Sequence, residues 1–128
     1  MALEWTVIIV DDEGPIRSSL ADFLEDDGFI TIQADSAEEG LSVVKNNPEI
    51  NAAVVDIRLP GEDGNAFILQ AHAIRPDMKF IIYTGSTDYS LPASVRKAGV
   101  DPAQVLHKPL QDIATLTAAI RRALGETD

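Results

Sequence analysis

Hydrophobic and polar positions along this chain fall into two alternating patterns. Short apolar runs, several rich in β-branched residues, recur at about 6–10, 29–33, 52–56, 79–84 and 104–107. Runs of this kind, bounded by turn residues, have the length and character of buried parallel strands. Between them, apolar residues recur at helical spacing. Pro15 suits the first turn of a helix, and Ile16, Leu20, Phe23 and Leu24 lie at i, i+4, i+7 and i+8, on one face. Gly28 stops that helix. Ser36 with Glu39 reads as a capping box that opens a second helix, carrying Leu41 and Val44, and Asn46-Asn47-Pro48 ends it. The turn-rich segment 59–64 precedes a third helix marked by Phe67, Ala71 and Ile74, which closes before Pro76. A short fourth helix is expected from about 92 to 97, with Gly99 as its stop. The last helix carries Ile113, Leu116, Ile120 and Leu124 and ends at Gly125.

Five strand–helix units with short connections follow, with no internal repeat and no linker. That alternation predicts an α/β fold: a doubly wound parallel sheet with helices on both faces. A chain of 128 residues is one domain's worth, long enough to bury a real core. The least regular stretch is 86–104, which holds Pro92 and Pro102 around a short helix.

Charge narrows the function. Ten Lys and Arg stand against 21 Asp and Glu, a formal net charge of −11. Direct nucleic-acid binding needs clustered bases and is not expected. There is no cysteine, which excludes disulfides, thiolate metal sites and a Cys nucleophile. The opening Met1-Ala2-Leu3-Glu4-Trp5 carries an acid and no basic region, unlike a signal peptide. No apolar run approaches the roughly 18 residues of a membrane span. A soluble cytoplasmic protein without membrane contact is expected, with Trp5 as a partly buried anchor at the start of the first strand.

The residues that end the apolar runs carry the chemistry. Asp11-Asp12 follow Val7-Ile8-Ile9-Val10, and Asp56 follows Ala52-Ala53-Val54-Val55. Thr84 follows Phe80-Ile81-Ile82-Tyr83, and Lys108 follows Val105-Leu106-His107. Open parallel α/β sheets bind ligands at the carboxyl ends of their strands. Three carboxylates, a hydroxyl and an ammonium should therefore converge on one rim. Carboxylates crowded together repel unless something neutralises them. Mg2+ prefers oxygen ligands and keeps company with phosphate, so the set suits a divalent cation and a phosphoryl group. Asp56, alone on the central part of the sheet, is the best nucleophile, and its attack on a phosphoryl donor would give an acyl phosphate. Mg2+, Lys108 and the Thr84 hydroxyl would each hold one phosphoryl oxygen, since catalysis of this transfer is mostly positioning and charge stabilisation.

Four motifs in order, Val10-Asp11-Asp12-Glu13, Val55-Asp56-Ile57-Arg58-Leu59-Pro60-Gly61, Thr84-Gly85 and Lys108-Pro109, resemble the signature of receiver domains of two-component response regulators. The resemblance covers roughly 6–124. It implies a flavodoxin-like five-stranded sheet of order 2-1-3-4-5 with five helices. It implies that Asp56 accepts a phosphoryl group from a phosphohistidine on a sensor histidine kinase or a histidine phosphotransfer protein. Asp11, Asp12, Asp56 and the backbone carbonyl of Arg58 would hold Mg2+. Thr84 would turn inward on activation, Lys108 would pair with a phosphoryl oxygen, and the Lys108–Pro109 bond would be cis. Such a chain is a signalling phosphoacceptor that assists its own phosphorylation and dephosphorylation, not an enzyme in the usual sense. Residues 1–128 read as a single stand-alone receiver, signalling through altered contacts with an unidentified downstream protein.

Two departures bear on signalling. Receivers usually carry an aromatic three residues before the motif lysine, coupled to the inward turn of the threonine; here that position is Val105, which cannot swing as a ring can. The stretch 99–105 also looks longer than usual, which suggests an altered face around the fourth helix, fifth strand and fifth helix. Arg58 and Ser86, at positions that tune phosphate loss, cannot orient a water as an acid or amide would, so a long-lived phosphoryl group is expected. His72 and His107 read as ordinary residues, because His72 has no spaced acid partner and His107 merely precedes the lysine. Three other readings are weaker. A degenerate scaffold would not need the complete acid, Thr and Lys set. A flavodoxin-like redox protein needs a phosphate-cradling loop where Asp11-Asp12-Glu13 would repel phosphate. An Asp-nucleophile phosphatase wants a second acid where Arg58 stands.

Overall fold

A computed structural model describes residues 4–126 of the chain. Its first strand, β1 (Thr6–Val10), is buried at every position, as a β-branched run enclosed on both faces must be. The remaining elements are α1 (Gly14–Asp26), β2 (Ile30–Ala34), α2 (Ala37–Asn46), β3 (Ile50–Val55), α3 (Gly64–Ile74), β4 (Lys79–Thr84), α4 (Ala93–Lys97), β5 (Val105–His107) and α5 (Ala114–Ala123). All strand pairs are parallel, in the order β2-β1-β3-β4-β5. The expected flavodoxin-like α/β sheet with five helices is therefore present.

Alternation along the strands sorts the core into two layers. Ile8, Val10, Ala53, Val55, Phe80 and Ile82 pack beneath α2, α3 and α4. Val7, Ile9, Ala52, Val54, Ile81 and Tyr83 pack beneath α1 and α5. Each fully buried Val, Ile or Phe contributes about 1.5–3 kcal/mol by leaving water, so the sheet is stabilised from both sides. Phe67 of α3 meets Phe80 of β4 edge to face at 6.5 Å, which locks α3 over the centre.

Local chemistry sets the helix ends. Ser36 Oγ accepts from the Glu39 N–H, but Glu39 reaches back to the Asp35 N–H rather than to that of Ser36, so the expected reciprocal box is displaced by one residue. Asp63 caps α3 by accepting from the Ala66 N–H. Gly28 ends α1 at φ 97°, a left-handed conformation that favours glycine.

The element boundaries differ from expectation by one or two residues. β3 begins at Ile50 rather than 52 and ends at Val55, leaving Asp56 just beyond the pairing. A register shift between Thr6, paired with Ile50, and Val7, paired with Ala52, absorbs Asn51. β2 lies one residue later than expected, with Ile30 45% exposed, because it is an edge strand. Ile16, assigned by period to the core face of α1, is 40% exposed. It lines an apolar groove of about 430 Å3 with Phe23, Tyr83 and Ile113. Helical spacing assigns a face; it does not say whether a neighbour closes over the first turn. The long stretch before β5 holds a 3-10 turn, Pro102–Gln104, capped by Asp101, and the Gln104 amide donates to the Phe80 carbonyl at 2.8 Å. Trp5 is half-buried and its indole donates to Glu126. Among the described residues no helix is long and apolar enough to cross a membrane.

Candidate functional site

Register brings the acids together. Val10 pairs with Val55, so Asp11 and Asp56 leave neighbouring strands at the same level. The Asp56 N–H donates to the Val10 carbonyl at 3.0 Å and the Asp11 N–H to the Ala34 carbonyl at 3.1 Å, extending the ladder one step past the strands. Ligand oxygens of Asp11, Asp12 and Asp56 lie within 4.8 Å of one another, with Asp11 and Asp56 buried and Asp12 exposed. Thr84 pairs with His107 on β5, and the Lys108 N–H donates to the Thr84 carbonyl at 2.8 Å, which aims the next side chain at the same rim. Lys108–Pro109 is cis.

Lys108 ties the acids. Its Nζ lies 2.7 Å from Asp11 Oδ2, 3.2 Å from Asp56 Oδ2 and 3.6 Å from Glu13 Oε1, and 5.5 Å from the centre of the Tyr83 ring. Burial alone would lower the Lys108 ammonium. The hydrogen bond and charge of Asp11, then the charge and hydrogen bond of Asp56, outweigh it and hold the group above its ordinary value. The ammonium stays protonated where it stands.

Four acids around one base leave an excess of negative charge. All the donors are hard oxygens, two of the carboxylates are buried, and their separation lets one ion touch three of them. That set fits a divalent cation such as Mg2+. A cavity of about 330 Å3 lined by Asp12, Glu13, Asp56, Arg58, Gly85, Ser86 and Lys108 opens beside it.

Asp11, Asp12, Asp56 and Lys108 thus meet as expected. Arg58 lines the same cavity with its side chain exposed, and its N–H lies 3.3 Å from Asp56 Oδ1. Thr84 stands at the rim but is fully buried, and its hydroxyl accepts from the Ser86 N–H at 3.2 Å. Sequence reasoning missed two supporting residues. Glu13 joins the Lys108 network. Arg17, one helical turn further on, donates to the Asp11 carbonyl at 2.6 Å and to the Gln33 side chain at 3.0 Å, clamping β1, β2 and α1 together under the acids. An Arg four residues after Glu13 at a helix start was the available signal. Gly64 is a further requirement: a Cβ there would stand 2.3 Å from the Asp56 carbonyl oxygen, so only glycine lets α3 begin so close to the site.

Comparisons with known proteins agree with this geometry. The family model described as the response regulator receiver domain matches residues 7–121. The transcriptional regulatory protein FixJ of Azorhizobium caulinodans is 34% identical over 122 residues, covering 94% of this chain and 56% of FixJ. This chain spans about half the length of the FixJ relatives it matches. The crystal structure of a CheY-like receiver domain protein from Methanospirillum hungatei is similar with a TM-score of 0.84 at 32% identity, covering 95% of this chain and 94% of that one. That of FixJ-N is similar with a TM-score of 0.79 at 32% identity, covering 99% and 98%. A family match over nearly the whole chain, on a sheet of the same order with the acids at its carboxyl rim, leaves one conclusion: this chain belongs to the response regulator receiver domain family.

Proposed function

We propose that this receiver takes a phosphoryl group onto Asp56 in a Mg2+-dependent reaction and signals through altered protein contacts. The observation that carries the reading is the convergence of Asp11, Asp12 and Asp56 within 4.8 Å, with Lys108 on two of the three. The donor is a phosphohistidine of a sensor histidine kinase or a histidine phosphotransfer protein. A carboxylate oxygen of Asp56 attacks phosphorus, the P–N bond breaks, and the departing imidazole nitrogen keeps the electron pair and takes a proton. The products are an acyl phosphate and a neutral histidine. Asp11, Asp12, Asp56 and the Arg58 carbonyl would hold Mg2+, which when bound supplies positive charge to the phosphoryl oxygens.

The residues of the chain do the rest. Lys108 already sits at hydrogen-bond distance from the Asp56 oxygen and moves little to pair with a phosphoryl oxygen. The Thr84 hydroxyl leaves the Ser86 N–H to hold another. Arg58 and Ser86 offer no acid or amide to aim a water, which favours a persistent phosphoryl group. Such a chain acts in the cytoplasm as a phosphoacceptor rather than as an enzyme with an external substrate, and its acidity disfavours direct nucleic-acid contact.

Intact mass after incubation with acetyl phosphate and Mg2+, for wild type beside Asp56→Asn, tests the reading. A gain of one phosphoryl group in wild type, lost without Mg2+ and absent from the variant, is the expected result. No gain, followed by none from a panel of phosphorylated kinase domains, would replace the phosphoacceptor with an unphosphorylated binding scaffold.

A further inference from the structure

Between the acid site and α4 the chain crosses residues 85–92 without helix or strand. Two side-chain hydrogen bonds hold this loop. At its near end the Ser86 N–H donates to Thr84 Oγ1 in a buried setting. At its far end the Tyr89 phenol donates to Asn65 Oδ1 at 2.7 Å, in the first turn of α3. The Tyr89 ring and Leu91 pack on the core layer beneath α3 and α4, the layer that also holds Val105. Burial first, and the Asp63 carboxylate second, push the phenol up to about 12, so it remains a donor.

The two ends are fixed to different parts of the site. Asn65 follows Gly64, whose N–H donates to the Ile57 carbonyl at 2.9 Å and where an added Cβ would stand 2.3 Å from the Asp56 carbonyl oxygen. The first turn of α3 is therefore joined to the backbone of the phosphoacceptor, whereas the start of the loop is joined to the Thr84 hydroxyl. That hydroxyl cannot accept from Ser86 in the same geometry once it turns to a phosphoryl oxygen. A buried N–H left without a partner costs more than the bond was worth, so the loop has to move. Three residues further on, the movement reaches Tyr89.

We propose that Tyr89 and Asn65 form a latch that holds this loop in its resting position and opens when Thr84 turns to the phosphorylated Asp56. Resting on the phosphoacceptor reading, this moves the switching ring from β5, where Val105 has neither a ring to swing nor a hydroxyl to be held, into the loop before α4. The surface remodelled on activation is then the junction of α3 and the 85–92 loop. Coupling of this kind is reciprocal. If phosphorylation opens the latch, opening the latch must favour the phosphorylated state by the same factor, about 2- to 10-fold for one neutral hydrogen bond.

The chain has two tyrosines, Tyr83 and Tyr89, so the full chain labelled with 3-fluorotyrosine gives two fluorine resonances, assigned with Tyr89→Phe. Acetyl phosphate and Mg2+ are added, and intact mass is read on the same sample. The Tyr89 resonance is expected to shift in step with the mass gain. Tyr89→Phe and Asn65→Ala should each raise the affinity for beryllofluoride with Mg2+ by about 2- to 10-fold, and the double variant should do no more than either alone. Complete phosphorylation with an unmoved Tyr89 resonance overturns the latch while leaving the phosphoacceptor intact. Unchanged beryllofluoride affinity in both single variants does the same. No mass gain from acetyl phosphate or from the panel of phosphorylated kinase domains removes the phosphoacceptor reading and the latch with it.

Discussion

Replacing Lys108 by Met takes a single ammonium out of a cluster of four carboxylates. The Lys108 side chain is 13% exposed, and the Asp11 and Asp56 side chains it touches are 4% and 7% exposed. Met keeps the length and most of the volume, so the substitution removes charge more than packing. Removing one partner of a buried ion pair strands the other and costs about 3–5 kcal/mol. Water reaching the adjoining cavity can hydrate the stranded carboxylates in part, which places the expected loss at the lower end, about 3 kcal/mol. For a chain of this length that is a melting midpoint lower by about 12 °C in EDTA. Urea unfolding followed by the fluorescence of Trp5, at the far end of β1 from the site, measures it directly. Mg2+ then sharpens the comparison: with the ammonium gone, the acids hold a cation more tightly, so saturating Mg2+ stabilises the variant more than wild type. A loss below about 0.5 kcal/mol, within the range of an ordinary surface substitution, would refute the claim that Lys108 neutralises the acids. So would an equal Mg2+ increment in both proteins.

Three further outcomes rest on contacts elsewhere in the fold. Gly64→Ala places a methyl 2.3 Å from the Asp56 carbonyl oxygen and 2.9 Å from Ile57 Cα; forcing those backbones apart costs about 1–3 kcal/mol, and the acetyl phosphate reaction, read by mass, should slow because Asp56 is displaced. Arg121 sits 4.4 Å over the Phe29 ring and pairs with Asp27 and Glu126 at 3.1 and 3.0 Å; Arg121→Ala should lose about 1 kcal/mol, since these pairs are partly exposed, with the phosphorylation rate unchanged by the same mass assay. The Tyr89 phenol titrates at about 12 when folded, above its ordinary value of 10.0. The folded state therefore holds that proton more tightly than the unfolded one. The stability this contributes is complete below pH 10 and is lost as pH rises through about 12. Urea midpoints across that window should fall less steeply in Tyr89→Phe than in wild type, and parallel curves would rule out the linkage.

The site was readable to the extent that its residues terminate strands. Asp11, Asp12, Asp56, Thr84 and Lys108 each follow an apolar run, and a parallel sheet collects the ends of such runs on one rim. The sequence did not reveal which oxygen Lys108 prefers, or that Glu13 and Arg17 brace the cluster. Those contacts depend on register and rotamer. The Lys108–Asp11 bond spans 97 residues of chain, and no local period encodes it. Ile16 illustrates the same limit from the packing side. Its spacing with Leu20 and Leu24 is helical and apolar, yet exposure was decided by what stands opposite the first turn of α1.

The shift from Val105 to Tyr89 divides the two kinds of information most clearly. The sequence alone determined the sheet, its helices, the acid rim and the absence of an aromatic at 105, because strand burial and turn chemistry act over a few residues and leave a periodic trace. Only the tertiary structure placed the Tyr89 hydroxyl on Asn65, 24 residues away, and packed the ring into the layer that holds Val105. A hydrogen bond between a loop and a helix is set by how α3 and β4 pack, through Gly64 on the Asp56 carbonyl and Phe67 on Phe80. That packing is a property of the whole folded core.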